Sequence, residues 1–131
     1  TAPGQAIHPT APAARGRVER WMDWQLASLG GPMTPLFFTY VRIPEPKRDY
    51  AAAAKARNEA EELWSILDRQ LEGRDYLAGG FSLADIVMGP YLHRWFALPI
   101  DRAELKNLRA WYDRLLAKHP GFARHVAVEL T

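Results

Sequence analysis

Cysteine is absent from this sequence. That excludes a disulfide framework, a thiolate metal site and a cysteine nucleophile within these residues. It also fits a reducing compartment, so the expected location is the cytoplasm. No apolar run is long enough to span a bilayer, and no signal-peptide pattern opens the chain, so no membrane partner is expected. A charge excess is missing as well: 17 Lys and Arg against 15 Asp and Glu leave +2. The sequence pI of about 9.1 sounds basic. Bases nevertheless alternate with acids along the chain, the pattern of a solvated surface and not of a nucleic-acid footprint. Nucleic-acid binding through Arg102, Lys106, Arg109, Arg114, Lys118 and Arg124 would require a steep salt dependence; no such partner is expected.

Period-two runs bounded by turns are lacking, which removes β architectures. Metal spacings are lacking too. His8, His93, His119 and His125 include no i,i+4 pair, and no metal is expected. Gly79-Gly80 has neither the preceding strand nor the spacing of a phosphate loop. A Ser-His-Asp site would be a free choice among scattered residues. Glu61-Glu62 sit on a charged helical face, where paired carboxylates meet solvent.

What is present suits one domain: 131 residues, 48% hydrophobic, enough for a single core. The organising stretch is residues 81–86. Ser82 is a good N-cap, and Asp85 stands where a capping box places its returning acceptor. Phe81 before the cap and Ile86 at the fourth helical position have the spacing of a hydrophobic staple. These four are read as structural. A Ser committed to a cap is not a free nucleophile, and no His lies close in sequence to activate it.

Residues 1–11, rich in proline and alanine, read as a linker or arm, and a domain that opens on a linker is expected to follow something. The helical domain is expected over 12–131. A first helix runs over about 13–29, with Val18, Met22, Leu26 and Leu29 on one stripe and Trp21 and Trp24 on a neighbouring face. Asp23 stands between the tryptophans, either as a solvated acid or as part of that second face. Gly30-Gly31-Pro32 interrupts, and Thr34-Pro35 reads as a cap and first helical position. The alternative is one long helix kinked there. Asp49 caps a helix over 50–71, with Arg57 and Glu61 on its wet face. The helix from Leu83 is apolar all round and should be central, with Ile86, Val87 and Met88 in the core. Gly89 would admit a close neighbour, and Pro90 predicts a kink or wider turn. Asp101 reads as the cap of a helix over 102–118, and a short helix over 122–129 follows. The expected fold is all-α, a bundle of five to six helices.

The run Tyr76-Leu77-Ala78-Gly79-Gly80-Phe81-Ser82-Leu83-Ala84-Asp85-Ile86 resembles the signature of the C-terminal helical domain of glutathione transferases. Val18-Glu19-Arg20-Trp21-Met22-Asp23-Trp24-Gln25 resembles that family's fourth helix, and Thr34-Pro35-Leu36-Phe37 its continuation in bacterial members. Asn107-Leu108-Arg109-Ala110-Trp111 and His119-Pro120 are similar to its penultimate helix and terminating proline. The resemblance covers residues 12–129. It implies a thioredoxin-like N-terminal domain, missing from this chain, that binds glutathione and supplies the catalytic residue; none is assigned here. It implies a homodimer, and it makes Asp23 the acid that meets the glutathione amine across the dimer. It implies a wall for a hydrophobic electrophile drawn from Gly30, Met33, Phe37 and Tyr40. The family's bacterial His-Lys pair is replaced by Gly30-Gly31, which opens room. A non-catalytic interaction module with the same fold is the alternative, with Trp21, Asp23 and Trp24 as its surface.

Overall fold

A computed structural model describes residues 9–131. Residues 1–8, most of the expected linker and His8 among them, lie outside the described residues. The secondary structure is helical, with no strand among the described residues; two isolated bridges, Tyr76 to Gly79 and Ala78 to Gly80, tighten the connector before Ser82.

The first rod is longer than the Gly-Gly-Pro predicts. α1 (Pro12–Trp24) passes through a π turn (Gln25–Leu29) into α2 (Gly30–Phe37) and a second π turn (Phe38–Arg42). Leu29 and Gly30 keep right-handed helical dihedrals, so Thr34 caps nothing and the continuous alternative is the one adopted. The π turn gives the physical reason. A proline ring clashes with the carbonyl four residues back. For Pro32 that carbonyl belongs to Ser28, inside the widened turn, where the Gly30 amide reaches back to the Gln25 carbonyl. Arg48 closes the rod by donating to the carbonyls of Ile43 (2.9 Å) and Tyr40 (3.1 Å), which suits a cation at a helix C-terminus.

After a short 3₁₀ turn (Glu45–Lys47), α3 (Tyr50–Gln70) starts at Asp49, whose carboxylate accepts the Ala52 amide at 3.0 Å as expected. α4 (Leu83–Ala97) starts at Ser82 with the reciprocal capping box in place. It stays α-helical through Pro90, so the wider turn expected there is found in the first rod instead. A Cβ on Gly89 would stand 2.6 Å from the Phe122 ring, so the glycine is what lets the last helix seat against α4.

α5 (Lys106–Lys118) begins four residues later than the sequence predicts, and Asp101 is not its cap. The cap comes from α3: Asp68 accepts the Leu108 amide at 2.9 Å. The segment before it is pinned by Arg102, which donates to the carbonyls of Trp95, Leu98 and Ile100. Glu61 is not simply a wet-face partner of Arg57. Its carboxylate also accepts the Ala103 amide at 2.7 Å, while Arg57 donates to the Asp101 carbonyl. Burial pushes Glu61 up, but the Ala103 amide and the Arg57 guanidinium outweigh it and hold the carboxyl below its usual value. α6 (Pro120–His125) is shorter than expected, and residues 126–131 run on as a tail.

Five rods therefore pack around one core among the described residues. Trp64, Trp95 and Trp111 are fully buried, with Leu29, Met33, Leu36, Leu67, Met88 and Leu92 between them. α4 is central, but not buried all round: Ile86 is 40% exposed and Pro90 is exposed beside it. No described helix is long and apolar enough to cross a membrane.

Candidate functional site

The first rod and α4 meet along a seam. Gly30 lies beside the Tyr91 hydroxyl, 3.4 Å from where a Cβ would stand. Two turns on, the Phe37 ring faces α4 and carries the Arg94 guanidinium 4.2 Å from its centroid; Arg94 is also 5.7 Å from the Tyr91 ring. Arg42 approaches Phe37 at 5.8 Å. Tyr40 sits at the end of the rod, 6.1 Å from Tyr50 and under Arg48. Met33 is 0% exposed. It backs the seam from the core and reaches no surface of this chain, so its place in a pocket wall is indirect.

Two grooves open between this seam and the C-terminal tail. One, of about 590 Å³, has Tyr40, Val41, His93 and Leu98 on one side and Val128 and Leu130 on the other. The second, of about 230 Å³, lies between Phe37, Pro90 and Arg94 and the tail residues Val126 and Leu130. The tail is tied down from α4. Buried His93 bonds the Val128 carbonyl through Nε2 (2.6 Å) and the Tyr112 hydroxyl through Nδ1 (2.9 Å). A carbonyl only accepts, so Nε2 carries the proton, and in the neutral ring Nδ1 accepts from the phenol. Arg42 holds the last residue by donating to the Thr131 carbonyl at 3.1 Å.

Asp23 is exposed on α1, between Trp21, which is buried, and Trp24, which packs edge-on to it at 5.6 Å. Asp23 precedes the first π turn, and Gly30 follows it.

The capping-box residues form a different centre. Asp85 is 0% exposed and accepts from the amides of Ser82 (2.9 Å) and Leu77 (3.1 Å) and from the Trp111 indole (3.1 Å). Burial pushes its carboxyl above the usual range, against these hydrogen bonds, which favour the charged form. The Ser82 hydroxyl receives the Ala84 amide at 3.3 Å. Both side chains are committed to holding the connector, α4 and α5 together. Phe81 stacks on His119 at 3.8 Å, and His119 bonds the Tyr76 hydroxyl at 2.8 Å. Phe81 and Ile86 line one apolar groove of about 390 Å³ with Leu115 and Phe122.

Tyr91, Arg94 and His93 were not singled out by sequence. A signal for one existed: in α4 the only charged residues are Asp85 and Arg94, and a cation in so apolar a helix needs a reason. No such signal marks His93, whose partners lie 19 and 35 residues away.

Three comparisons bear on this arrangement. The family described as glutathione S-transferase, C-terminal domain, matches residues 50–114. Glutathione S-transferase GstB of Escherichia coli K12 is 30% identical over 80% of this chain and 51% of its own length. The theta class glutathione S-transferase of Xanthomonas axonopodis pv. citri, solved with glutathione bound, superposes with a TM-score of 0.90 at 41% identity, over 95% of this chain and 65% of that one. Its apo form gives the same score and identity and 67% of that chain. The chain spans about half the length of the curated relatives it matches.

Proposed function

Because the chain belongs to the glutathione S-transferase C-terminal domain family, we propose that it is the helical half of a glutathione-conjugating protein whose seam at Gly30 holds a hydrophobic electrophile. The observation that supports this reading is the aromatic side of one rod: Tyr40 and the buried Phe37 each line a groove that a small organic molecule fits, and Gly30 lies on the same rod under the Tyr91 hydroxyl. Met33 supports that wall from behind.

The division of labour follows from the chemistry. Attack by glutathione needs a thiolate, made by a donor that favours the charged form. A thioredoxin-like N-terminal domain would supply that donor and bind glutathione. The helical half contributes proximity, holding the electrophile near the sulfur. An apolar wall discriminates weakly between molecules that differ by a methylene. In a homodimer, Asp23, exposed and charged, would reach the glutathione amine of the partner subunit as a charge-assisted pair. The expected setting is the cytoplasm, with no metal required.

Glutathione titration of the product of the complete open reading frame tests this. The wild type is expected to bind, and Asp23→Ala to weaken binding by about tenfold, the order of one lost charge-assisted hydrogen bond. Unchanged affinity in that variant removes Asp23 from the site. No binding by a wild type that carries an intact first domain favours the interaction module, to which Leu26, 77% exposed on the first rod, would give an apolar contact.

A further inference from the structure

The seam carries a cation that a purely hydrophobic electrophile does not use. We propose that Arg94 makes the groove beside Phe37 a site for small aromatic anions, so that the preferred electrophiles are single-ring compounds bearing a carboxylate or sulfonate. The substrate half of this statement rests on the electrophile reading above; the binding half does not.

Arg94 lies half-buried on α4, with its guanidinium 4.2 Å from the Phe37 centroid. Among the described residues no carboxylate pairs with it; the ion pairs found there belong to Arg15, Arg57, Arg109 and Arg114. Arg42, which also donates to the Thr131 carbonyl, brings a second guanidinium to the same ring, and His125 and Thr131 border the groove. Glu129 borders it too, exposed and without an ion pair to Arg94 among the described residues.

A guanidinium held against an aromatic face keeps its planar fork free at the edge. It is weakly hydrated, and its N–H groups match the two oxygens of a carboxylate. Phe37 and Pro90 supply apolar surface next to that fork. An inorganic anion gains nothing from them, and a neutral ring gains no ion pair from Arg94. A volume of about 230 Å³ suits one substituted ring. The arrangement therefore selects for both features in one molecule.

The probes are 4-chloro-3-nitrobenzoate and its neutral twin, 4-chloro-3-nitrobenzamide, titrated calorimetrically into the product of the complete open reading frame. The benzoate is expected to bind about tenfold more tightly or better, the order of one charge-assisted hydrogen bond. Arg94→Gln should bring the ratio near one, and Arg94→Lys should restore part of it. A wild-type ratio near one, or a ratio that survives Arg94→Gln in a folded variant, overturns the proposal. If Arg94→Gln does not fold, as read by far-ultraviolet circular dichroism, the wild-type ratio and its decline with added salt decide the matter. Conjugation is read separately, as thiolate attack at the chlorinated carbon with release of chloride. A protein that prefers the benzoate but conjugates neither probe retains the anion site and loses the transferase reading; one that conjugates both with no preference does the reverse.

Discussion

Asp85 is the residue on which most of the local structure converges. Its carboxylate receives two backbone amides and an indole N–H in a site closed to solvent. Asn at that position turns an amino group toward donors, so Asp85→Asn is expected to cost about 2 kcal/mol or more in denaturant unfolding. The pH dependence has a definite sign. Burial raises the folded-state pKa, so the native state binds more protons than the unfolded chain between the ordinary carboxyl value and the raised one. The stability contributed by the neutral form is complete below the ordinary value and is lost as pH rises through the raised one. The gap between wild type and Asp85→Asn should therefore narrow from acid toward neutral pH; a gap that widens would show that the donors, not burial, dominate. The sequence marks Asp85 as a capping acceptor because its partner Ser82 is three residues away. It does not mark the bond to Trp111, 26 residues on.

At the scale of the helices, the starts set by neighbours in sequence were legible and those set by neighbours in space were not. Asp49 and Ser82 cap their own helices with side chains one residue before the first turn. α5 has no such residue: Leu105 stands at its N-cap position without a side-chain bond, and Asp68, 40 residues before Leu108, accepts that amide in its place. Asp101 has the right residue type, but its carbonyl is taken by Arg57 and its segment is held by Arg102 and Glu61. Asp68→Ala should lower stability by about 1 kcal/mol, the usual worth of an N-cap, and Asp101→Ala by much less. Equal losses in thermal or denaturant melts would return the cap to Asp101. The Gly-Gly-Pro misleads for a related reason. Before Pro32 the chain widens the turn rather than ending the helix.

For the whole molecule, the helical bundle and its central α4 were readable from apolar periodicity and capping, and the family from the motif around Ser82. The candidate site was readable only in part. Gly30, Phe37 and Tyr40 lie along one rod, and Tyr91, Arg94 and the tail beside the grooves come together only in the fold. The molecule also leaves apolar side chains uncovered, Leu26 at 77% and Ile86 at 40% exposure, on a chain half as long as its curated relatives. On the function proposed above, the helical half supplies an apolar wall, and an apolar wall does not ionise a thiol. The measurement that bears most directly on this is the rate of glutathione conjugation to 1-chloro-2,4-dinitrobenzene, compared between the purified 131-residue chain and the product of its complete open reading frame. The expected result is no rate above the uncatalysed reaction for the chain alone and conjugation by the complete product; conjugation by the chain alone would contradict it.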